Sequence, residues 1–180
     1  IFHKRFHTQR QKKREFFFAA APILFGIVQL IEGMLWLSFG NGFLQPYQHG
    51  MSFALLFFAY ALWPVYSPTS VWAIEPNRVR RTLMFLFVAM GYALGFYFLQ
   101  YLLNSPFDIT VINDKLHYTT EIPDLYFLSI PYLTVVFGPY LLSSSRMIFW
   151  LGVVNIALCI GVNHFFPTAF LPVWIFFASI

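Results

Sequence analysis

Phe16–Phe39, FFFAAAPILFGIVQLIEGMLWLSF, is twenty-four residues of nearly unbroken apolar sequence, and it restricts the fold more than any other stretch. At 1.5 Å per residue, a helix of this length covers the roughly 30 Å hydrocarbon core of a bilayer. Pro22 lies in its first half, where membrane helices tolerate a kink. Gly26 and Gly33 share a narrow face that permits close helix contact. Gln29 and Glu32 lie one turn apart in the second half, with Trp36 one turn beyond, so a helix presents all three on one side. Glu32 is the one charge that the pattern buries inside a span. A carboxylate in hydrocarbon costs a few kcal/mol, so it must face the bundle interior, find a partner or take up a proton.

The remaining sequence fits a membrane solvent. Charged residues make up only 10% of the chain and hydrophobic residues 59%, against about 25% charged in ordinary soluble domains. The net charge of +4 does not point to nucleic acid, because six of the eleven Lys and Arg lie within the first fourteen residues, beside the first span. Such a juxtamembrane cluster retains a cytoplasmic segment and attracts anionic lipid. No signal-peptide cleavage site follows it.

Taken in order, residues 1–15 read as a basic cytoplasmic segment, with His3 and His7 as solvated side chains. Spans are expected at about 16–39, 51–66, 82–103, 125–142 and 147–162, and a sixth begins near Ala169 and is cut off at Ile180. Pro64 and Pro68 are expected to end or bend the second span, which places Trp63, Tyr66 and Trp72 in an interfacial aromatic belt. The connection TSVWAIEPNRVRR follows it. The third span contains Gly91-Tyr92-Ala93-Leu94-Gly95, a GxxxG pattern that reads equally well as a helix contact or as chance. Residues 104–125 form the long polar outer loop. Its FDITVINDKLHYTTEI alternates around Asn113-Asp114 as a short hairpin would. With the basic segment inside, ten of the eleven Lys and Arg fall on the cytoplasmic side and only Lys115 falls outside, a strong positive-inside signal. The fold class expected is therefore an all-α polytopic transmembrane helix bundle. It forms one domain over residues 1–180, with six visible spans and a short extracytoplasmic hairpin.

The candidate site is a polar ligand, ion or lipid site around Gln29, Glu32 and Trp36, with Asn155, Tyr60 and Tyr92 as buried partners from other spans. His49, His117 and His164 fall one in each expected outer loop, and with Glu32 they would make a three-histidine-plus-carboxylate metal site fit to activate water. Their spacing matches no HExxH-like motif, and unrelated solvent-facing histidines are the simpler reading. The 24 Phe, 10 Tyr and 5 Trp have the chemistry to hold a flat apolar cofactor, but lipid-facing and core packing is the simpler reading of them. No lysine lies in these spans, so a retinal Schiff base is excluded from them, and no cofactor is assigned. The single cysteine, Cys159, permits no intrachain disulfide and reads as a packing residue. No catalytic residue set emerges.

Ala21–Trp36 (APILFGIVQLIEGMLW), Leu62-Trp63-Pro64, Glu75-Pro76 and Val173–Ser179 (VWIFFAS) together resemble a bacterial family of small polytopic integral membrane proteins of unknown function. The Gln-x-x-Glu-Gly pattern, here Gln29, Glu32 and Gly33, carries most of the resemblance. It implies a bacterial inner-membrane location and a further amino-terminal span, which would make seven. It implies no activity. Three functions follow as expectations: a membrane binding or transport module at Gln29 and Glu32, a metal-dependent membrane hydrolase, or an accessory subunit docked to other membrane subunits. The bilayer is the partner common to all three, and nucleic acid is not one.

Overall fold

The computed structural model describes residues 14–40, 42–112, 115–120 and 125–165. The spans expected at 16–39, 82–103, 125–142 and 147–162 all fall on helices; the sixth span and the basic segment before Arg14 lie outside the described residues. Helix α1 (Ala21–Gly40) continues the helical turns that begin at Arg14, interrupted by a single turn residue, Ala20, two positions before Pro22. Helix α2 runs from Gln45 to Ile74 in four segments: 3-10 (Gln45–Tyr47), α (Gln48–Leu56), π (Phe57–Leu62) and α (Trp63–Ile74). Helix α3 (Arg78–Asn104) leads into strands β1 (Phe107–Ile112) and β2 (Lys115–Thr120), and these into α4 (Leu125–Leu142) and α5 (Arg146–Phe165). Among the described residues four helical stretches, Arg14–Gly40, Gln45–Ile74, Arg78–Asn104 and Arg146–Phe165, are long and apolar enough to cross a membrane; α4 is apolar but shorter.

The second helix corrects the sequence reading. It does not stop at Tyr66 but passes both prolines and ends at Ile74. The π-segment explains how. In it the Trp63 amide donates to the Phe58 carbonyl, five residues back. The next carbonyl in that register, Ala59, would need the N–H of residue 64, and Pro64 has none. The Tyr132 hydroxyl of α4 supplies the missing donor at 2.6 Å. Pro68 likewise leaves the Pro64 carbonyl without its helical donor. That oxygen faces Gly91, where an added methyl would collide with it, while one at Gly95 would stand 2.6 Å from the Ala61 carbonyl. The GxxxG pattern is thus a backbone-to-backbone seat for the proline-containing turn. Two more hydroxyls bond carbonyls of neighbouring helical segments: Tyr66 donates to the Phe17 carbonyl, and Ser67 donates to the Val136 carbonyl at 2.9 Å. Apolar helices keep their prolines where neighbouring side chains pair the carbonyls the prolines expose.

Because α2 runs on, Trp63 and Tyr66 sit mid-helix and are buried rather than in a belt; Trp63 packs 4.5 Å from Phe25. The first half of α2 packs on α1 and β1. Its second half packs on α3 and α4, and α5 packs on α4. The core joins Phe25, Val28 and Leu35 of α1 to Phe58 and Trp63 of α2, Val136 of α4 and Cys159 of α5. It extends to Ile109 and Leu116 of the strands. The strands pair antiparallel, with Ile109 opposite Tyr118 and Thr110 opposite His117. Side chains alternate across a strand, so Ile109, Leu116 and Tyr118 face the bundle and cover one end of it.

Candidate functional site

At the hairpin end, α1 carries Gln29 and Glu32 half-buried. Among the described residues no hydrogen bond or ion pair reaches the Glu32 carboxylate. Tyr118 lies within range of its charge: burial and then that charge push the Tyr118 phenol up, away from ionisation. The buried Gln29 amide nitrogen has no hydrogen-bond partner among the described residues. Two polar groups one turn apart on an apolar helix are therefore left underpaired, and a buried donor without a partner costs about 1–3 kcal/mol. Tyr118 brings the hairpin near Glu32, and the hairpin is seated on α2 through His49 and Phe53, whose rings lie 4.6 and 6.2 Å from that of Phe107.

The other residues expected around Glu32 have different contacts. Asn155 donates back to the Leu151 carbonyl of its own helix at 3.0 Å. Tyr60 packs on Phe98 at 5.4 Å, and Tyr92 is 56% exposed on α3. Trp36 is 38% exposed. Sequence spacing places residues on a helix face but does not say which helices are neighbours, so partners drawn from α3 and α5 had no geometric support.

The histidine set does not assemble either. His49 stacks on Phe107, His117 lies on the hairpin face opposite Tyr118, and His164 packs edge-on to Phe165 in the exposed last turn of α5. Among the described residues no three His, Cys, Asp or Glu side chains come together as a metal site. The reason is strand alternation: if Tyr118 faces Glu32, its neighbour His117 must face away.

The opposite end holds a carboxylate to which the sequence reading gave no role. Glu75 follows α2 and is only 3% exposed. One carboxylate oxygen accepts from the Asn77 amide at 3.0 Å and from the Ser144 hydroxyl; the other accepts from the Ser144 amide at 3.0 Å and the Ser143 hydroxyl at 3.2 Å. Burial alone would raise its pKa, but the hydrogen bonds from Ser144, Asn77 and Ser143 outweigh it and hold the carboxyl below the usual range. Asn77 caps α3 by accepting from the Val79 and Arg80 amides at 3.0 and 3.1 Å. Arg80 Nη1 closes the cluster on the Leu142 and Ser143 carbonyls at 3.0 and 2.8 Å, a cation at the C-terminal end of α4. Arg81 lies 4.6 Å over the Trp72 ring. A signal was present in the sequence: an N-cap asparagine two residues after Glu75, and a triple-serine turn able to donate to it.

The fold and these two carboxylates define a helical protein with membrane-length apolar helices and, among the described residues, an underpaired polar couple, Gln29 and Glu32, at the hairpin end. The chain belongs to a family of unknown function, DUF6629, which matches it over residues 6–180. No curated protein and no solved structure matches it.

Proposed function

We propose that the chain is an integral protein of a bacterial inner membrane that binds or transports a small polar ligand, ion or lipid at Gln29 and Glu32. In this reading the hairpin lies on the extracytoplasmic side and the residues before Arg14 in the cytoplasm. The charges support that orientation. Arg14, Arg78, Arg80, Arg81 and Arg146 flank the ends of helices away from the hairpin, and Lys115 is the basic residue on the hairpin. The observation that carries the binding reading is the underpaired couple: a glutamate and a buried amide donor, one turn apart, beneath a polar insert. A carboxylate kept in such a place without a partner among the described residues is more consistent with function than with packing.

Native mass spectrometry of the detergent-purified protein tests this. A small-molecule, ion or lipid adduct should accompany the natural protein and be lost in Glu32→Gln, with helical circular dichroism unchanged. An identical adduct pattern in both proteins would place the site elsewhere.

A second reading has its own support. Among the described residues nothing lies within 4 Å of where a side chain would begin at Gly26 and Gly33 of α1, and Ile23, Ile27 and Leu30 beside them are exposed. An accessory subunit would dock another transmembrane helix on that face. Gly26→Leu combined with Gly33→Leu should then release a partner that co-purifies with the natural protein.

A further inference from the structure

Helix α3 opens on Arg78-Val79-Arg80-Arg81, with no acidic residue in its first turn. That is the positive end of the helix dipole, where a cation is unfavourable and an anion favourable. The cap does not neutralise it, because Asn77 accepts from the Val79 and Arg80 amides through an uncharged oxygen. Glu75, two residues before the cap, takes its hydrogen bonds from Asn77, Ser143 and Ser144 and none from an arginine. Folding accounts for one of the three cations: Arg80 is spent on the Leu142 and Ser143 carbonyls. Arg78 and Arg81, three residues apart, share a side of α3. Among the described residues neither meets a carboxylate, and Arg81 is held over the Trp72 ring, 4.6 Å from its centroid. Such a contact positions the guanidinium and leaves N–H donors on its fork for an anion. One turn further along the same side, Phe85 is 54% exposed and packs 6.2 Å from Trp72. Two cations thus stand above an exposed apolar surface, the order in which a phospholipid presents its headgroup and its chains.

We infer that Arg78 and Arg81 form a phosphate site for one anionic phospholipid, whose chains run along Phe85 and Trp72, at the end of the bundle away from Glu32. A phosphodiester matches the guanidinium fork. A headgroup with no cation of its own leaves that phosphate free to meet both arginines, and the dipole of α3 acts in the same sense. The site also relieves the like charges crowded into the first turn. The inference rests on the membrane part of the proposed reading and not on a ligand at Glu32.

The test is native mass spectrometry of the detergent-purified protein, titrated with phosphatidylglycerol or with phosphatidylcholine. One phosphatidylglycerol should bind, more tightly than phosphatidylcholine. Arg78→Gln combined with Arg81→Gln should weaken it about thirtyfold, the factor for losing two cations at an anionic lipid. Arg146→Gln removes a charge from the same end of the bundle but on α5, and should change the affinity by less than about twofold, because a distant exposed charge is screened. Inorganic phosphate titrated in place of lipid should give no adduct that depends on Arg78 and Arg81. Equal binding of the two lipids, or a loss in Arg146→Gln as large per charge as in the double variant, overturns the site. A phosphate adduct lost with Arg78 and Arg81 would make the ligand a soluble anion and overturn it as well. Phosphatidylglycerol binding that is lost in Glu32→Gln would move the lipid to the hairpin end. A protein recovered without detergent overturns the membrane reading and this site together; one that needs detergent but binds both lipids alike overturns the site alone.

Discussion

Among the described residues two glutamates are buried or half-buried, and they stand at opposite ends of the bundle in opposite surroundings. Glu75 accepts four hydrogen bonds from the 75–77 and 143–145 turns, and its neighbours are themselves tied down by Asn77 and Arg80. Glu32 is half-buried on an apolar helix, yet among the described residues no hydrogen bond or ion pair reaches its carboxylate, whose charge acts on the phenol of Tyr118. A fully paired buried carboxylate fastens two loops together. An underpaired one costs stability, and is the kind of group a folded protein keeps for something other than folding.

The largest expected effect is at the paired end. Glu75→Leu leaves the Asn77 and Ser144 amides and two serine hydroxyls without their acceptor, and should lower stability by on the order of 3 kcal/mol, measured by thermal unfolding in detergent. The same cluster predicts an acid limb. Because the folded pKa of Glu75 is depressed, its contribution is complete above the ordinary glutamate range near about 4.3 and is lost as pH falls through the folded value. Glu75→Gln should flatten that limb. If it leaves the acid limb unchanged, the contrast between the two ends loses its electrostatic basis.

Next comes the seat between the ends. Gly91→Ala puts a methyl onto the Pro64 carbonyl oxygen, a backbone atom that cannot swing aside; a loss of about 1–3 kcal/mol follows. Arg80→Ala removes a charged donor from the Leu142 and Ser143 carbonyls at a partly solvated position, for about 1 kcal/mol. A melting temperature unchanged by Gly91→Ala would mean that the helices are not seated as described.

Much of the scaffold was legible in the sequence. Apolar runs of membrane length fixed where helices lie, and the alternation around Asn113-Asp114 marked the strands now seen at 107–112 and 115–120. Pro64 and Pro68 misled, because the rule that proline ends a helix holds only when nothing else pairs the exposed carbonyls. Here Tyr132, more than sixty residues away, does so, with Gly91 giving the room. Gln29 and Glu32 were legible as a pair because one helix carries both. Tyr118 was not, because its approach to Glu32 depends on how a hairpin folds back over α1. Asn155, Tyr60 and Tyr92 were chosen for polarity alone, and polarity does not decide which face a helix turns to its neighbours. Glu75 was overlooked because it stands in a basic stretch that resembles a solvated loop; its four donors come partly from a turn about seventy residues on.

The most direct measurement is a paired unfolding experiment on Glu32→Gln and Glu75→Gln in the same detergent. The account predicts that Glu75→Gln loses more than about 1 kcal/mol, because the amide NH2 cannot accept the bonds a carboxylate oxygen accepts, while Glu32→Gln is unchanged or more stable, because a neutral amide is easier to bury than an underpaired carboxylate. A Glu32→Gln protein as destabilised as Glu75→Gln would contradict it, and would make Glu32 a structural residue like its counterpart.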